Sequence, residues 1–498
     1  MSLEPDQATM QRLGHLVADH VARHLASLRD QPASRVLSRA DAERLVATPP
    51  PAAGQPVEAL LETLTERVFP YHAREPHPGF LGYVQGCPTF PAILGDWLAT
   101  GYNFFAGAWG VSSGPTMLEV TVLEWFRQWL GLPPGTGGLL TSGGSTANLM
   151  AVIAARHAVA GDDPSLLPRL TVYASDQAHS SLIRAAWIAG IPRANVRLLP
   201  SDAEWRLQPA LVEQAITADR AAGLHPLMIL ATAGTNNTGA TDPLPELGRL
   251  ARHEGLTLHV DGAYGGFAAL SVTGRAQLGD LSGVDSLSLD PHKWLYVPFE
   301  CGSLLVRDPE RLRAAFHILP DYLRDLDVAG GEVNFADYGE QLTRYNRALK
   351  VWMGVSAWGT DALAREIEGG IHRAELAAEL VTRSNALELV SPARLGITCF
   401  RPRRRGATPD ELDALTQRAL ETINRTAHFF ISTTRLGGRQ GLRICCCGWR
   451  TTDADIARLV SEAEAAVRGE VRRGGSPQRR GDAEGRGACA RRGECLPG

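Results

Sequence analysis

Between residues 139 and 306 short apolar runs alternate with stretches of helical periodicity, and no other feature of the chain restricts its fold as much. The runs 170–174, 227–231, 256–260, 287–289 and 302–306 are too short for helices and read as buried strands. Strands separated by helix-length segments are joined by crossovers, which predicts an α/β domain with a mainly parallel central sheet. In such sheets ligands sit at the carboxyl ends of the strands. The chemically interesting polar residues fall at those ends.

The stretch Ser286-Leu287-Ser288-Leu289-Asp290-Pro291-His292-Lys293-Trp294 closes one strand and delivers a lysine at once. Set between a histidine and a tryptophan, that lysine is expected to be partly desolvated. Desolvation lowers its pKa and frees the nucleophilic amine that a Schiff base requires. Taken alone it reads equally as a surface lysine. Upstream, Leu139-Leu140-Thr141-Ser142-Gly143-Gly144-Ser145-Thr146-Ala147-Asn148 joins an apolar pair to a Gly/Ser turn and a helix start. Small residues admit an anion close to backbone N–H groups, and the helix dipole favours it. The spacing is that of neither a nucleotide-triphosphate loop nor a dinucleotide fingerprint. After 170–174 comes His179, which fits a structural histidine as well as a functional one. The polar turn Gly234-Thr235-Asn236-Asn237 follows 227–231, and Asp261 follows 256–260. A buried carboxylate there must be paired.

A length of 498 residues implies two or three lobes. Lys+Arg 50 against Asp+Glu 54 gives a net charge of −4, too balanced for a nucleic-acid or membrane surface. The first residues carry charge throughout and no apolar run approaches the roughly 18 residues of a membrane span, so the expected location is cytoplasmic. The cysteines include no paired CxxC motifs, which argues against zinc, and Cys445-Cys446-Cys447 continues an apolar run as small hydrophobes. Met10, Leu13, Val17, Val21, Leu25 and Leu28 form an amphipathic stripe that needs cover, from a partner subunit or from its own chain. The polar, Gly-containing segment 318–345 is either a loop that closes over a site or a surface connection. A second lobe follows, with helices over 362–385 and 409–426 and strands over 397–400, 429–433 and 442–446. Residues 471–498 are rich in Arg, Gly and Pro and cannot bury a core, so a disordered tail is expected.

Thr141 to Asn148, Ala178-His179-Ser180-Ser181, His259-Val260-Asp261-Gly262-Ala263-Tyr264 and Pro291-His292-Lys293-Trp294 with Val297-Pro298-Phe299 occur in one order. In these motifs the chain resembles the pyridoxal-phosphate-dependent group II decarboxylases, aromatic L-amino acid decarboxylase branch, from about His77 to Thr451. The resemblance implies the aspartate aminotransferase-like fold type I and a homodimer with the active site at the subunit interface. It implies an N-terminal helical arm over 1–83, a large cofactor-binding domain over 84–352, a smaller α+β domain over 353–470 and the tail at 471–498. By the same resemblance Lys293 carries pyridoxal 5'-phosphate as a Schiff base, and Asp261 pairs with the pyridine nitrogen. His179 stacks on one ring face with Ala263 on the other, Gly144 and Ser145 hold the phosphate, and Asn236 and His292 lie near the cofactor. Tyr322 returns a proton to the substrate carbon. Phe80, Tyr83 and Trp109 are the candidates for substrate binding.

Three departures from the family pattern stand out: Asn236 replaces the second threonine of a Gly-Thr-Thr turn, the chain before Arg347 is about three residues shorter than in animal relatives, and Gly79 stands where a second aromatic is common. The last is expected to leave room for a larger ring such as indole. The implied reaction is decarboxylation of tryptophan, tyrosine, phenylalanine or DOPA to the amine and CO2. The alternatives are an aromatic aldehyde synthase, which consumes oxygen, and a decarboxylase of a non-aromatic amino acid. Transamination and a cofactor-free scaffold stand further off. Loss of the loop tyrosine or of the stacking histidine would mark the oxidative branch, and both Tyr322 and His179 are present.

Overall fold

The computed structural model describes residues 3–318 and 331–469, and the statements below concern those residues. The alternating segments form a seven-stranded sheet from β1 (Gly137–Thr141), β2 (Leu170–Ser175), β3 (Val196–Leu199), β4 (His225–Thr232), β5 (Thr257–Asp261), β6 (Ser286–Leu289) and β7 (Gly302–Val306). Their order is β1-β7-β6-β5-β4-β2-β3. The run from β6 to β3 is parallel, as the sequence predicts, and β7 alone opposes its neighbours. β7 follows β6 through a short return containing only one helical turn, and a connection that short cannot carry a parallel crossover. β3 escapes sequence reading because Val196-Arg197-Leu198-Leu199 lies at the sheet edge, partly exposed, without a continuous apolar run.

The central strands are buried on both faces, which is why they read as uninterrupted apolar runs. In β4, Met228 and Leu230 share a core with Val152 and Ala155 of helix Gly144–Ala160, whereas Ile229 and Ala231 share one with helices Pro209–Ala221 and Leu244–Glu254. Glu119, in helix Trp109–Trp129, anchors β1: it accepts from Leu140 N–H at 2.8 Å and pairs with Arg344 at 2.7 Å, both side chains almost wholly buried. Arg344 also donates to the Leu140 carbonyl at 2.6 Å. The strand that leads into the Gly/Ser turn is thereby fixed at its last residues.

The helix Ala348–Arg383 joins this sheet to a second one, and its backbone breaks at Gly359, whose φ of 76° belongs to the left-handed region that glycine favours. The second sheet, β8 (Leu387–Leu389), β9 (Ile397–Pro402), β10 (Ser432–Leu436) and β11 (Arg439–Cys445), is antiparallel in the order β10-β11-β9-β8. Helices Pro409–Arg425 and Asp453–Arg468 pack beside it, each opened by a capping box, Thr408 with Glu411 and Thr452 with Asp455. Leu81 threads into this lobe, donating to the Phe430 carbonyl at 2.8 Å and accepting from Cys445 N–H at 2.9 Å. The N-terminal helix Gln7–Ala26 buries none of its residues.

Candidate active site

Asp261 ends β5, and its carboxylate accepts three hydrogen bonds: from Asn148 Nδ2 at 3.0 Å, Ala263 N–H at 3.1 Å and Ser288 Oγ at 3.2 Å. Asn148, on the first turns of helix Gly144–Ala160, also meets Ser181 Oγ at 3.0 Å and His259 Nε2 at 2.9 Å. Burial pushes the His259 imidazole down to about 4 although the Asp261 charge pulls it upward, so it is neutral at pH 7. The paired carboxylate expected of the sequence is present, and its partners come from three separate segments.

Lys293 lies on the helical turn Pro291–Trp294 after β6, with Nζ 2.9 Å from Asp290 Oδ2. Here the sequence expectation is corrected. Burial does push the amine downward, but the adjacent Asp290 carboxylate, by charge and by hydrogen bond, and then Asp261 outweigh it and raise the Lys293 pKa. Without the cofactor the amine is therefore held as an ammonium. His292 is pushed down, chiefly by burial, and its Nδ1 accepts from Cys301 N–H at 3.3 Å.

β1 ends at Thr141 and the chain enters helix Gly144–Ala160 through Gly143. A Cβ on Gly144 would stand 2.7 Å from that of Ala263 and 3.3 Å from Asp290 Oδ2, so only glycine brings the helix start this close. The N–H groups of Thr146 and Ala147 bond to the Gly143 carbonyl at 3.0 and 3.1 Å, while those of Gly144 and Ser145 have no partner among the described residues. Gly144, Ser145, His179, Asn236, Asp261, Ala263, His292 and Lys293 all border one cavity of about 320 Å³. Every cofactor residue expected of the sequence is thus brought together. His179 caps helix Ser180–Ile188, with Nδ1 2.7 Å from Ser181 Oγ.

The substrate candidates lie elsewhere: none of Phe80, Tyr83 and Trp109 borders that cavity. Phe80 is buried and stacked on Phe430 with centroids 5.0 Å apart. Tyr83 is exposed, and Trp109 opens its helix with its N–H on Asn334 Oδ1 at 2.9 Å. Tyr322 falls outside the described residues. The space expected at Gly79 does not exist, because a Cβ there would collide with the backbone carbonyl of His428. Its glycine serves close backbone approach instead of a wider pocket.

Three neighbours escaped sequence reading. Asp290 looked like a strand terminator, Asn148 like an ordinary helix-start residue, and Arg443 was hidden inside an apolar run. Arg443 donates from Nε to the Asn236 carbonyl at 2.6 Å and from Nη1 to the Tyr83 carbonyl at 2.5 Å. Its buried Nη2 has no partner among the described residues. The signal was available in principle, since a charge inside an apolar strand requires a reason.

The pyridoxal-dependent decarboxylase conserved domain matches residues 41–403. The aromatic-L-amino-acid decarboxylase of Bacillus atrophaeus is 33% identical over 467 residues, covering 93% of this chain and 96% of its own. The phenylacetaldehyde synthase of Arabidopsis thaliana is 30% identical over 458 residues, 90% of this chain and 93% of its own. Among solved structures, Oryza sativa TDC with PLP and tryptamine superposes with a TM-score of 0.89 at 28% identity, over 93% of this chain and 99% of that one. The chain belongs to the pyridoxal-dependent decarboxylase family, with the fold type I architecture. Within it, the chain is a pyridoxal-phosphate-dependent amino acid decarboxylase of the aromatic branch.

Its residues fit that cofactor. The helix start at Gly144 and Ser145 offers a phosphate two N–H groups that have no partner among the described residues, and a lysine and a carboxylate that accepts three hydrogen bonds share the same cavity.

Proposed function

We propose that Lys293, Asp261 and the Gly144–Ser145 helix start hold pyridoxal 5'-phosphate for the decarboxylation of an aromatic L-amino acid to its amine and CO2. The observation that carries this reading is the shared cavity: a lysine, a hydrogen-bonded carboxylate and an anion cradle face one another at the carboxyl ends of parallel strands. When bound, the cofactor supplies the electron sink for the pair left behind as CO2 departs. The Asp261 carboxylate would keep the pyridine nitrogen protonated, and Ala263 and His179, which border the same cavity, would confine the ring. Lys293, paired with Asp290 at 2.9 Å, would exchange that partner for the cofactor it would hold. Arg443 supports the site indirectly, holding the carbonyl of Asn236, which borders the cavity. Tyr322 returns the proton to the substrate carbon.

A homodimer is supported by the apolar surface the single chain leaves uncovered: Leu98 and Tyr102 on helix Phe90–Tyr102, and Trp352 and Trp358 on helix Ala348–Arg383. The division at 83, 352 and 470 follows the same reading, with 1–83 as the dimerisation arm. Among the described residues no helix is long and apolar enough to cross a membrane, and a cytoplasmic location agrees with that. A second reading, aldehyde synthase, is favoured by the similarity to phenylacetaldehyde synthase and to Rhodiola rosea 4-hydroxyphenylacetaldehyde synthase, and is opposed by the presence of His179 and Tyr322.

The test is to incubate cofactor-loaded protein with tryptophan, tyrosine, phenylalanine and DOPA in turn and identify products by mass spectrometry while recording peroxide. An aromatic amine without peroxide is expected. Aldehyde with peroxide moves the chain to the oxidative branch, and turnover of aliphatic amino acids alone overturns the aromatic assignment.

A further inference from the structure

Asp261 ends one strand and His179 follows another, yet one amide reaches the groups that hold both. Asn148 is fully buried, with Nδ2 3.0 Å from Asp261 Oδ2 and 3.0 Å from Ser181 Oγ, and Oδ1 2.9 Å from His259 Nε2. The direction of every bond follows from what the atoms can do. An ionised carboxylate only accepts, so the amide turns its NH2 toward Asp261 and its oxygen toward His259. That oxygen has no hydrogen to give, so neutral His259 carries its hydrogen on Nε2. Its Nδ1 then accepts from Ser286 Oγ, 2.9 Å away.

The second amide hydrogen goes to Ser181 Oγ, which leaves the serine hydrogen for His179 Nδ1 at 2.7 Å. The Ser181 backbone N–H donates to the same nitrogen at 3.3 Å, which independently requires Nδ1 to be an acceptor. With Nδ1 accepting, the ring hydrogen of His179 lies on Nε2, the nitrogen turned away from Ser181.

We propose that Asn148 is a positioning residue whose single NH2 group orients the Asp261 carboxylate and, through Ser181, fixes His179 as the tautomer that presents Nε2–H to the cavity. The inference rests on the decarboxylase reading and extends it to a residue that need not touch the reacting atoms. It makes Asn148 a fork with two separable arms. Loss of the Asp261 arm is felt by the cofactor, and loss of the Ser181 arm is felt by the histidine.

Three variants separate the arms: Ser181→Ala, Asn148→Ala and the double variant, each checked for native circular dichroism. The readouts are the pyridoxal phosphate dissociation constant by equilibrium dialysis and the pH profile of kcat. Ser181→Ala should leave the dissociation constant within about twofold of the parent, while kcat falls about tenfold and its pH profile moves, because His179 loses the hydroxyl that bonds its Nδ1. Asn148→Ala should weaken cofactor binding by at least about tenfold. The double variant should lose little more kcat than Asn148→Ala alone, since both changes cut one path.

Parental cofactor affinity in folded Asn148→Ala overturns the proposal, and so do losses of kcat that multiply in full in the double variant. If Asn148→Ala does not fold, an unaltered pH profile in Ser181→Ala overturns it alone. A parent that neither binds pyridoxal phosphate nor releases amine refutes the decarboxylase reading itself. A parent that does both while the variants match it refutes only the role of Asn148.

Discussion

The floor of the cavity and its mouth differ in how much of their chemistry one chain completes. At the floor Asn148 and His259 are fully buried and Asp261 is 6% exposed, and each is bonded to the next. The mouth lies outside the cavity lining: Tyr83, 64% exposed, is tied to Asn236 through Arg443, and Phe299, 54% exposed, packs edge-on against His292 at 4.9 Å. The mouth presents aromatic surface with nothing from its own described residues to cover it, which is the expected state of half an interface. In the proposed homodimer such a site would take its chemistry from one chain and its access and specificity from assembly.

The most severe break of the floor is Lys293→Ala. Amine production should vanish together with the visible absorbance of the covalently held cofactor, both read on purified protein, and appreciable residual turnover would remove Lys293 from the mechanism. Next in size, Tyr322→Phe should divert product from amine toward aldehyde, followed by mass spectrometry with peroxide detection. An unchanged amine yield would leave Tyr322 without a role. Leu98→Glu tests whether assembly completes the mouth, by placing a charge on the exposed face of helix Phe90–Tyr102. Sedimentation should show a shift to monomer with activity falling in parallel, while cofactor still binds the floor. A fully active monomer would mean that the mouth is complete in one chain. Below these in effect, Glu119→Ala strands the buried Arg344 guanidinium and should cost about 3–5 kcal/mol in urea unfolding. A loss below about 1 kcal/mol would show that β1 does not depend on this pair.

The floor was also the more legible region. Strands buried on both faces print continuous apolar runs, and the carboxyl-end rule then selects Gly144, His179, Asp261 and Lys293 as residues of one cavity. What stayed hidden depends on partners that spacing cannot supply. Whether the Lys293 amine is raised or lowered is decided by Asp290, two contacts away in reasoning but 2.9 Å away in space. Asn148 carries no mark of its fork, because an asparagine near a helix start is ordinary. Gly79 misled most directly: an absent side chain reads as vacancy, but the neighbouring backbone of His428 already uses that space. β7 and β3 were lost or reversed for reasons of connection length and edge exposure, which are tertiary facts.

The smallest effect concerns whether the floor is as tightly bonded as it looks. Burial lowers the His259 imidazole from the ordinary 6.5 to about 4. In the unfolded chain it takes up a proton as pH falls through 6.5, whereas in the folded chain it does so only near 4. Its contribution is therefore complete above 6.5 and is lost as pH falls toward 4, a change of about 3 kcal/mol. Asp242 acts in the opposite sense, because burial raises its carboxyl from 3.8 to about 6. There the folded state binds the proton first, so that contribution is complete below 3.8 and is lost as pH rises through 6. The two offset each other in the parent across much of the same range, and a flat parental curve would conceal both. His259→Gln keeps an N–H for Asn148 and cannot titrate, which isolates the histidine. The stability of the parent minus that of His259→Gln, measured by urea unfolding, should fall by about 3 kcal/mol between pH 6.5 and pH 4. A difference that stays constant over that interval would mean that water reaches His259 and that the floor is open where the hydrogen-bond network says it is closed.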